Sequence, residues 1–561
     1  MNNQQLAKRW WHNAVVYQIY PRSFNDSNGD GIGDIKGIIE KLDYIRELGA
    51  NVIWLSPVYQ SPMDDNGYDI SDYQSIAPEF GTMQDMDRLI AEADKRGIKI
   101  MMDLVVNHTS DEHPWFVESR RSKDSPKRDW YIWKDPKSDG SEPNNWESFF
   151  KPKAWTLDET TGQYYLHIFS DKQPDLNWAN PEVREAVYEM MHFWLKKGLG
   201  GFRMDVINMI GKPSDYPDAT IFDQGVAGWE HWSNNLLVHQ YLREMHDKVL
   251  KHYDILTVGE TPFTTTLDGR FYSNPARNEI SMIFQFEHVS IDREEHNAVK
   301  KDFDLVQYKE IMTRWQEDLY QKGWNSLYWS NHDQPRTVSR YGCDSAQYRV
   351  VSAKMLATVL HMMSGTPYIY QGEEIGMTNK HFNSIDEFND LMAKFHYQKM
   401  IARGVSDQDS IAFLNDFSRD HARVPIQWNN QANAGFTSGT PWLPLNDNYQ
   451  HINAEQAVSD ADSIYHHYRQ LIALRQGDDY GDVIVYGAHQ LLDPDDREVY
   501  AYRREHQGKT LLTIANFTDK SLERSYQGKV TNQLINNGVG VVDDLINLQL
   551  QPYQALVVEI V

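Results

Sequence analysis

The sequence predicts an α/β protein built on a (β/α)8 TIM barrel, with a small domain inserted after strand 3 and an antiparallel β-sandwich at the C-terminus. Three observations carry this expectation. Eight short apolar runs alternate with helical patterns, the mark of parallel β/α units. The third and fourth runs lie much further apart than one crossover helix requires. Near the C-terminus the helical period gives way to strand runs alone.

The eight runs are VVYQIYP from Val15, NVIWLSP from Asn51, KIMMDLVVNH from Lys99, GFRMDV from Gly201, DILTVGE from Asp254, SMIFQFE from Ser281, NSLYWSNHD from Asn325 and TPYIYQGEE from Thr366. Between them, segments such as DIKGIIEKLDYIRELGA and NPEVREAVYEMMHFWLKKG place apolar residues at i, i+3, i+4 and i+7. Each runs into a glycine that reads as a helix stop. Residues 104–172 are polar and loop-rich (SKDSPKRDW, KDPKSDGSEPNNW) before a short YYLHIF strand, which suits an inserted domain better than a structureless loop. The runs VIVYGAHQLL, EVYAYRR, TLLTIANF and QALVVEIV then form an all-β tail. The expected division is a catalytic barrel over 1–103 and 173–478, the insertion over 104–172 and the C-terminal domain over 479–561.

Composition narrows the function classes. A chain of 561 residues exceeds a single hydrophobic core, and 24% charged residues beside 40% hydrophobic ones is ordinary for a globular protein. A formal net charge of −25 disfavours nucleic acid and anionic membranes as partners. One cysteine, Cys343, leaves no intramolecular disulfide and suits a reducing compartment. The N-terminal stretch lacks an apolar signal core, and no window holds 18 continuous apolar residues. A cytoplasmic enzyme, monomeric or a small homo-oligomer, is the expectation. The 17 Trp and 31 Tyr suit sugar faces and cores alike.

In such a barrel, side chains at the C-terminal strand ends converge on one mouth. Here those ends carry Asp103 and His108, Arg203 and Asp205, Glu260, Glu287 and His288, Asn331, His332 and Asp333, and Glu373 and Glu374. Any one of these acids could cap a helix or pair with an arginine. Three on strands four, five and seven are harder to attribute to packing, and converging carboxylates push at least one pKa upward. Glycosidic cleavage needs such a pair, about 5–5.5 Å apart in retaining enzymes. Arg203 shares a strand face with Asp205 and would hold it ionised. His108 and His332 read as hydrogen-bond donors to sugar hydroxyls, since no cluster shows zinc-type spacing.

The motifs VVNH, GFRMDVIN, VGE and NHD, in this order, resemble the four signature regions of the α-amylase family, glycoside hydrolase family 13. The resemblance implies Asp205 as nucleophile, Glu260 as general acid/base and Asp333 as transition-state stabiliser. It also implies a structural role for Asp103 and places His108, Arg203 and His332 in the glucose subsite. NGYDISDY, QPDLNW, SNHDQPR, GTPYIYQGEEIGMTN and NAGFTSGTPW are similar to the oligo-1,6-glucosidase and dextran glucosidase group. In that group Asp69 and Arg423 would grip the terminal glucose, and Tyr68 and Phe169 are expected to bind substrate beside them. Val206, after the nucleophile, would go with α-1,6 preference where Thr goes with α-1,4. A β-branched residue would equally suit a strand.

DSNGDGIGD sets Asp26, Asn28, Asp30, the Ile32 carbonyl and Asp34 at positions 1, 3, 5, 7 and 9 of an EF-hand-like loop, with Gly37 rather than Glu at position 12. Likeness to the group's calcium loop implies one structural Ca²⁺ there, against a solvated turn. No organic cofactor is expected. Three stretches depart from the group: REEHNAVKKDF replaces a GKW-like segment and leaves Lys300 and Lys301 as substitutes, DHARVPIQW carries His421 and Val424, and NDLMAKF replaces an acidic DIE. The resulting expectation is a retaining exo-acting α-glucosidase that releases terminal α-1,6-linked glucose from isomaltose, panose and short isomalto-oligosaccharides. The alternative is the same chemistry on trehalose 6-phosphate, maltose, sucrose or sucrose isomers. A non-catalytic family member is disfavoured, because the acids are retained.

Overall fold

The computed structural model describes residues 6–222, 225–294 and 299–561. The eight runs form the strands β1 (Val16–Ile19), β2 (Val52–Leu55), β3 (Lys99–Val105), β4 (Gly201–Asp205), β5 (Leu256–Glu260), β6 (Met282–Phe284), β7 (Ser326–Leu327) and β8 (Thr366–Tyr370). They are parallel neighbours in the order β6-β5-β4-β3-β2-β1-β8-β7. A parallel bridge between Ile283 and Asn325 joins the two ends and closes the barrel.

Helices cover one face of these strands and the barrel interior the other, which is why the strands read as near-continuous apolar runs instead of alternating ones. Val16, Val52, Trp54, Met101, Val258, Met282, Phe284 and Tyr368 fill the interior, and Trp54 stacks on Phe284 at 5.6 Å. The buried charged residues of these strands are Asp103, Arg203, Asp205 and Glu260, and all four lie within two residues of a C-terminal strand end. A barrel so filled is a packed core with its chemistry confined to the mouth.

The first crossover is two helices rather than one, Ile35–Glu40 and Leu42–Leu48, broken at Lys41 (φ −103°, ψ 4°). The second ends at Gly49, whose φ of +103° a side chain would resist. Pro181–Lys196 forms as the periodicity predicts, with the Asn180 side chain capping the Glu182 N–H at 2.9 Å.

After β3 the insertion folds as a three-stranded antiparallel sheet with Gln163–Leu166 between Trp133–Lys134 and Trp155–Asp158. Antiparallel bridges from His108 to Asp175 and from Tyr131 to Leu176 fasten it to the barrel. The C-terminal sandwich pairs a five-stranded antiparallel sheet, Ala488–Leu492, Val499–His506, Lys509–Asn516, Ala555–Ile560 and Val530–Asn536, with a two-stranded one, Leu522–Arg524 and Leu548–Leu550. One expected strand is corrected: in VIVYGAHQLL only Ala488–Leu492 is extended, and Gly481–Tyr486 is a helix. Its Val483, Ile484 and Val485 are fully buried, so packing overrides their β propensity. Among the described residues no helix is long and apolar enough to cross a membrane.

Candidate active site

The floor of the barrel mouth is one buried guanidinium. Arg203 donates through Nη1 to Asp103 at 2.8 Å and to Asp205 at 2.6 Å, and through Nη2 to Glu260 at 2.5 Å. Three carboxylates from three adjacent strands therefore converge on one cation. Burial pushes all three upward while Arg203 pulls them back: Asp103 settles at about 6, Asp205 at about 7 and Glu260 at about 8. Glu260 is also raised by the neighbouring charges of Asp205 and Asp333. Two buried carboxylates that share one cation thus retain a proton into the neutral range, so the pair can supply an acid and a base together. Asp103 is wholly buried and also accepts from Trp54 Nε1 at 3.1 Å and the Tyr68 hydroxyl at 3.0 Å, so it braces the mouth from below.

Across the mouth stands Asp333, from the loop after β7. It accepts from Arg423 at 2.7 Å, lies 3.4 Å from Arg419 and has His332 Nε2 3.4 Å from its other oxygen. Burial works against its charge, but His332, Arg419 and Arg423 together hold it well below the usual carboxylate range. It therefore remains an anion opposite the Asp205 and Glu260 pair.

A cavity of 930 Å³ opens over these groups. Of the residues expected to bind substrate, Tyr68, His108, Phe169 and Val206 line it, as do Asp205, Glu260 and Asp333. Tyr68 stacks on His332 at 5.2 Å, and Phe169 on Phe149 at 5.1 Å. Arg203, His332 and Arg423 support the wall from behind through the contacts above. Asp69 is placed differently. Its carboxylate accepts from the backbone N–H of Asp64 and Asp65 and is wholly buried, so it folds the turn rather than facing the cavity.

Asp65 faces the cavity instead, together with Arg419, and the two lie 3.5 Å apart. Arg419 is held in turn by Asp390 at 2.6 and 2.8 Å. Neither Asp65 nor Arg419 was expected from the sequence. The signal is ambiguous: MDDNGYD offers three aspartates, SRDHAR two arginines four residues apart, and only the turn geometry decides which faces inward. Other strand-end acids serve elsewhere. Glu373 accepts from Tyr468 and Thr337, and Glu374 from Tyr17 and Tyr44. Glu287 is bound by Arg314 and Trp315 at the cavity edge. Lys300 is ion-paired to Asp416 at 2.8 Å.

The alpha amylase catalytic-domain model matches residues 18–487, and the model of the maltogenic amylase C-terminal domain matches residues 489–557. The chain belongs to the α-amylase family. It is 53% identical to an oligo-1,6-glucosidase of Parageobacillus thermoglucosidasius, over 99% of this chain and 100% of that one. Solved relatives include a trehalose-6-phosphate hydrolase of Bacillus licheniformis, at a TM-score of 0.94 and 48% identity over 98% of this chain and 100% of that one. An isomaltulose synthase of Erwinia rhapontici follows at a TM-score of 0.95 and 41% identity, over 99% of each chain. This α-amylase-family chain is thus a catalytic α-glucosidase related to the oligo-1,6-glucosidase group.

Two local features of this α-glucosidase bear on its specificity and its frame. Val206 is outside strand β4, in the left-handed region at φ +33°, and its N–H donates to Glu260 at 3.2 Å. The strand-propensity explanation of a β-branched residue therefore fails there, because this conformation penalises one. In the DSNGDGIGD loop, Asp26 accepts from the N–H groups of Asn28, Gly29 and Gly31 and from Thr437. Asn28 and Asp30 each accept from the N–H two residues on. Asp34 caps the next helix through Gly37 and holds Ser27. Among the described residues no cluster of three or more His, Cys, Asp or Glu gathers in a metal-binding arrangement. The expected donors of this loop include an amide and a backbone carbonyl.

Proposed function

We propose that the chain is a retaining, exo-acting α-glucosidase that removes terminal glucose from short α-1,6-linked oligosaccharides, with Asp205 as nucleophile and Glu260 as acid/base. The observation that carries the chemistry is the shared guanidinium: Arg203 holds Asp205 and Glu260 side by side, and burial raises both carboxyl groups so that the pair keeps a proton for the leaving group. Asp205 attacks the anomeric carbon, Glu260 Oε protonates the departing oxygen, and a glucosyl ester forms. Glu260, now a carboxylate, takes a proton from water, which attacks the ester and returns both groups to their first state. Asp333, kept anionic by its arginines, faces the positive charge that develops on the sugar ring.

Exo-action follows from Asp65 and Arg419, an ion pair across the cavity beyond the glucosyl site that leaves the first sugar no neighbour on that side. Val206 forms part of the opposite wall and supports the α-1,6 reading.

A second reading has its own support, since the similar solved structures include a trehalose-6-phosphate hydrolase and an isomaltulose synthase. On that reading the glucosyl half is the same and the leaving group is glucose 6-phosphate, fructose or a 1,4-linked glucose. Turnover of isomaltose, panose, maltose, sucrose and trehalose 6-phosphate by the purified protein decides between them. The main reading requires isomaltose and panose to have the highest kcat/KM, and faster turnover of trehalose 6-phosphate, sucrose or maltose would replace it by the second.

The curled loop at Asp26, with its oxygens already oriented by backbone N–H groups, fits a hard cation, and one Ca²⁺ held by Asp26, Asn28, Asp30, the Ile32 carbonyl and Asp34 is part of the proposal. It would brace the loop after β1 and take no part in bond cleavage. Chelation with EDTA should lower Tm by several degrees and Ca²⁺ should restore it. An unchanged Tm, with no metal found by elemental analysis, would remove the ion from the account.

A further inference from the structure

Lys212, in the loop after β4, is buried with only 3% of its side chain exposed, and so is its partner Asp175. Its ammonium donates to Asn107 Oδ1 at 2.6 Å and pairs with Asp175 at 2.7 Å. An ammonium has three donors and no acceptor, so the Asn107 atom facing it is the oxygen. The Asn107 NH₂ is thereby turned toward His108, where it lies 3.2 Å from Nδ1. An NH₂ group can bond a ring nitrogen only through that nitrogen's lone pair. The His108 proton is therefore on Nε2, which lies 3.0 Å from the Tyr68 carbonyl.

We infer that Lys212 is a positioning residue for the glucosyl site, setting the amide orientation of Asn107 and, through it, the tautomer and neutrality of His108. The inference rests on the reading of this cavity as the glucosyl pocket, which His108 and Tyr68 both line. The consequence reaches further than His108. With its Nε2–H on the Tyr68 carbonyl, the ring anchors the turn that carries Tyr68, whose hydroxyl bonds Asp103 and whose ring stacks on His332. The Gln173 NH₂ lies 3.3 Å from His108 Nε2, and its two hydrogens are taken by the same carbonyl at 3.2 Å and by Asp65 at 3.2 Å, so it does not compete for the Nε2 lone pair. The charged groups facing the imidazole are Asp175 and Lys212, and burial keeps the ring neutral, at about 4. Both nitrogens are engaged, so the ring is fixed in its place on the cavity wall. His332 is arranged likewise, with Gln18 Nε2 at 2.8 Å from its Nδ1. Only His108 has a buried ammonium that dictates which way its amide points.

Asn107→Asp is the decisive variant, since it keeps shape and still accepts from Lys212 but offers Nδ1 an acceptor where the native amide offers a donor. With ¹⁵N-histidine labelling and His108→Gln to identify the signal, the native ring should show Nδ1 unprotonated throughout about pH 5–8. In Asn107→Asp, Nδ1 should take up a proton and the ring should titrate near neutrality. KM for p-nitrophenyl α-glucoside should rise about tenfold, with kcat changed less and a new pH dependence in KM. Lys212→Met should raise KM in the same direction and mix the two tautomers. If Asn107→Asp folds with an unchanged tautomer and an unchanged KM, the inference is overturned, whether or not Lys212→Met folds. The nitrophenol leaving group makes this result independent of which natural leaving group the enzyme takes.

Discussion

The two halves of the cavity are built on opposite principles. At the glucosyl end the wall is polar and buried, and its charges are held: Asp103, Asp205 and Glu260 on Arg203, Asp333 on Arg423, Asp65 and Asp390 on Arg419. Along the rest of the lining, Val206, Met209, Phe149, Phe222, Trp229 and Phe263 present apolar faces beside Glu287 and Arg293. The first half fixes one sugar through geometry that cannot relax, because removing either member of a buried pair strands the other. The second presents faces on which several sugars can stack. Relatives that share the fold and differ in leaving group are the natural outcome of such a division.

The largest test falls on the polar half. Asp205→Asn should lower kcat on the order of 10⁴-fold or more with the fold retained. Near-native activity in the purified variant would dismantle the site. Glu260→Gln should lose as much on sugars and less on aryl glucosides, whose leaving group needs no proton. Its pH profile should change as well. Glu260 is raised from 4.5 to about 8, so the acid form that catalysis needs is present below about 8 and lost above it, giving an alkaline limb in kcat that the glutamine variant lacks. The sign for stability is the same: the folded state holds this proton where the unfolded chain has released it. The contribution is present below 4.5 and is lost as pH rises toward 8.

Arg419 tests whether the closed end depends on paired charge. Arg419→Met leaves Asp390 and Asp65 without their cation, and should cost about 3–5 kcal/mol of stability and raise KM about a hundredfold. A variant with native KM would show that the arginine is structural only, and that exo-action has another source.

The sequence and the structure part company along the same line. The eight strands, and the acids at their ends, were legible because a strand buried on both faces must be apolar, so a charged residue at its terminus stands out. Asp205, Glu260 and Asp333 were singled out in this way, before any resemblance was invoked, and the structure brings all three to the cavity. Asp65 and Arg419 were not, since both lie on loops with like residues nearby, and loop conformation has no period to read. The choice between Asp65 and Asp69 depends on the Asp69 carboxylate closing a turn onto two backbone N–H groups, a tertiary fact. The apolar wall is harder still, because Phe149 comes from the insertion, Trp229 from the loop after β4 and Phe263 from the loop after β5.

Val206 joins the halves, and the smallest effects belong to it. Its side chain lines the cavity, while its N–H holds Glu260. At φ +33° a β-branched residue carries strain of about 1–3 kcal/mol. Val206→Gly relieves that strain but gives up a buried side chain in a hydrophobic cluster, so Tm should fall by less than the loss of about 1.5–3 kcal/mol of burial alone would give, while the site widens and discrimination among disaccharides drops. Val206→Thr keeps the branch and the strain, so stability should stay within about 0.5 kcal/mol. It adds a hydroxyl to the wall, which should shift the isomaltose-to-maltose ratio of kcat/KM toward maltose by about tenfold. The two variants separate what one would confound: glycine removes strain and contact together, and threonine changes only the contact. Should threonine leave the ratio unmoved while glycine lowers it, selectivity resides in the shape that the strained backbone imposes and in the aromatic wall opposite. The preference for α-1,6 linkages would then have to be sought in Phe149, Trp229 and Phe263.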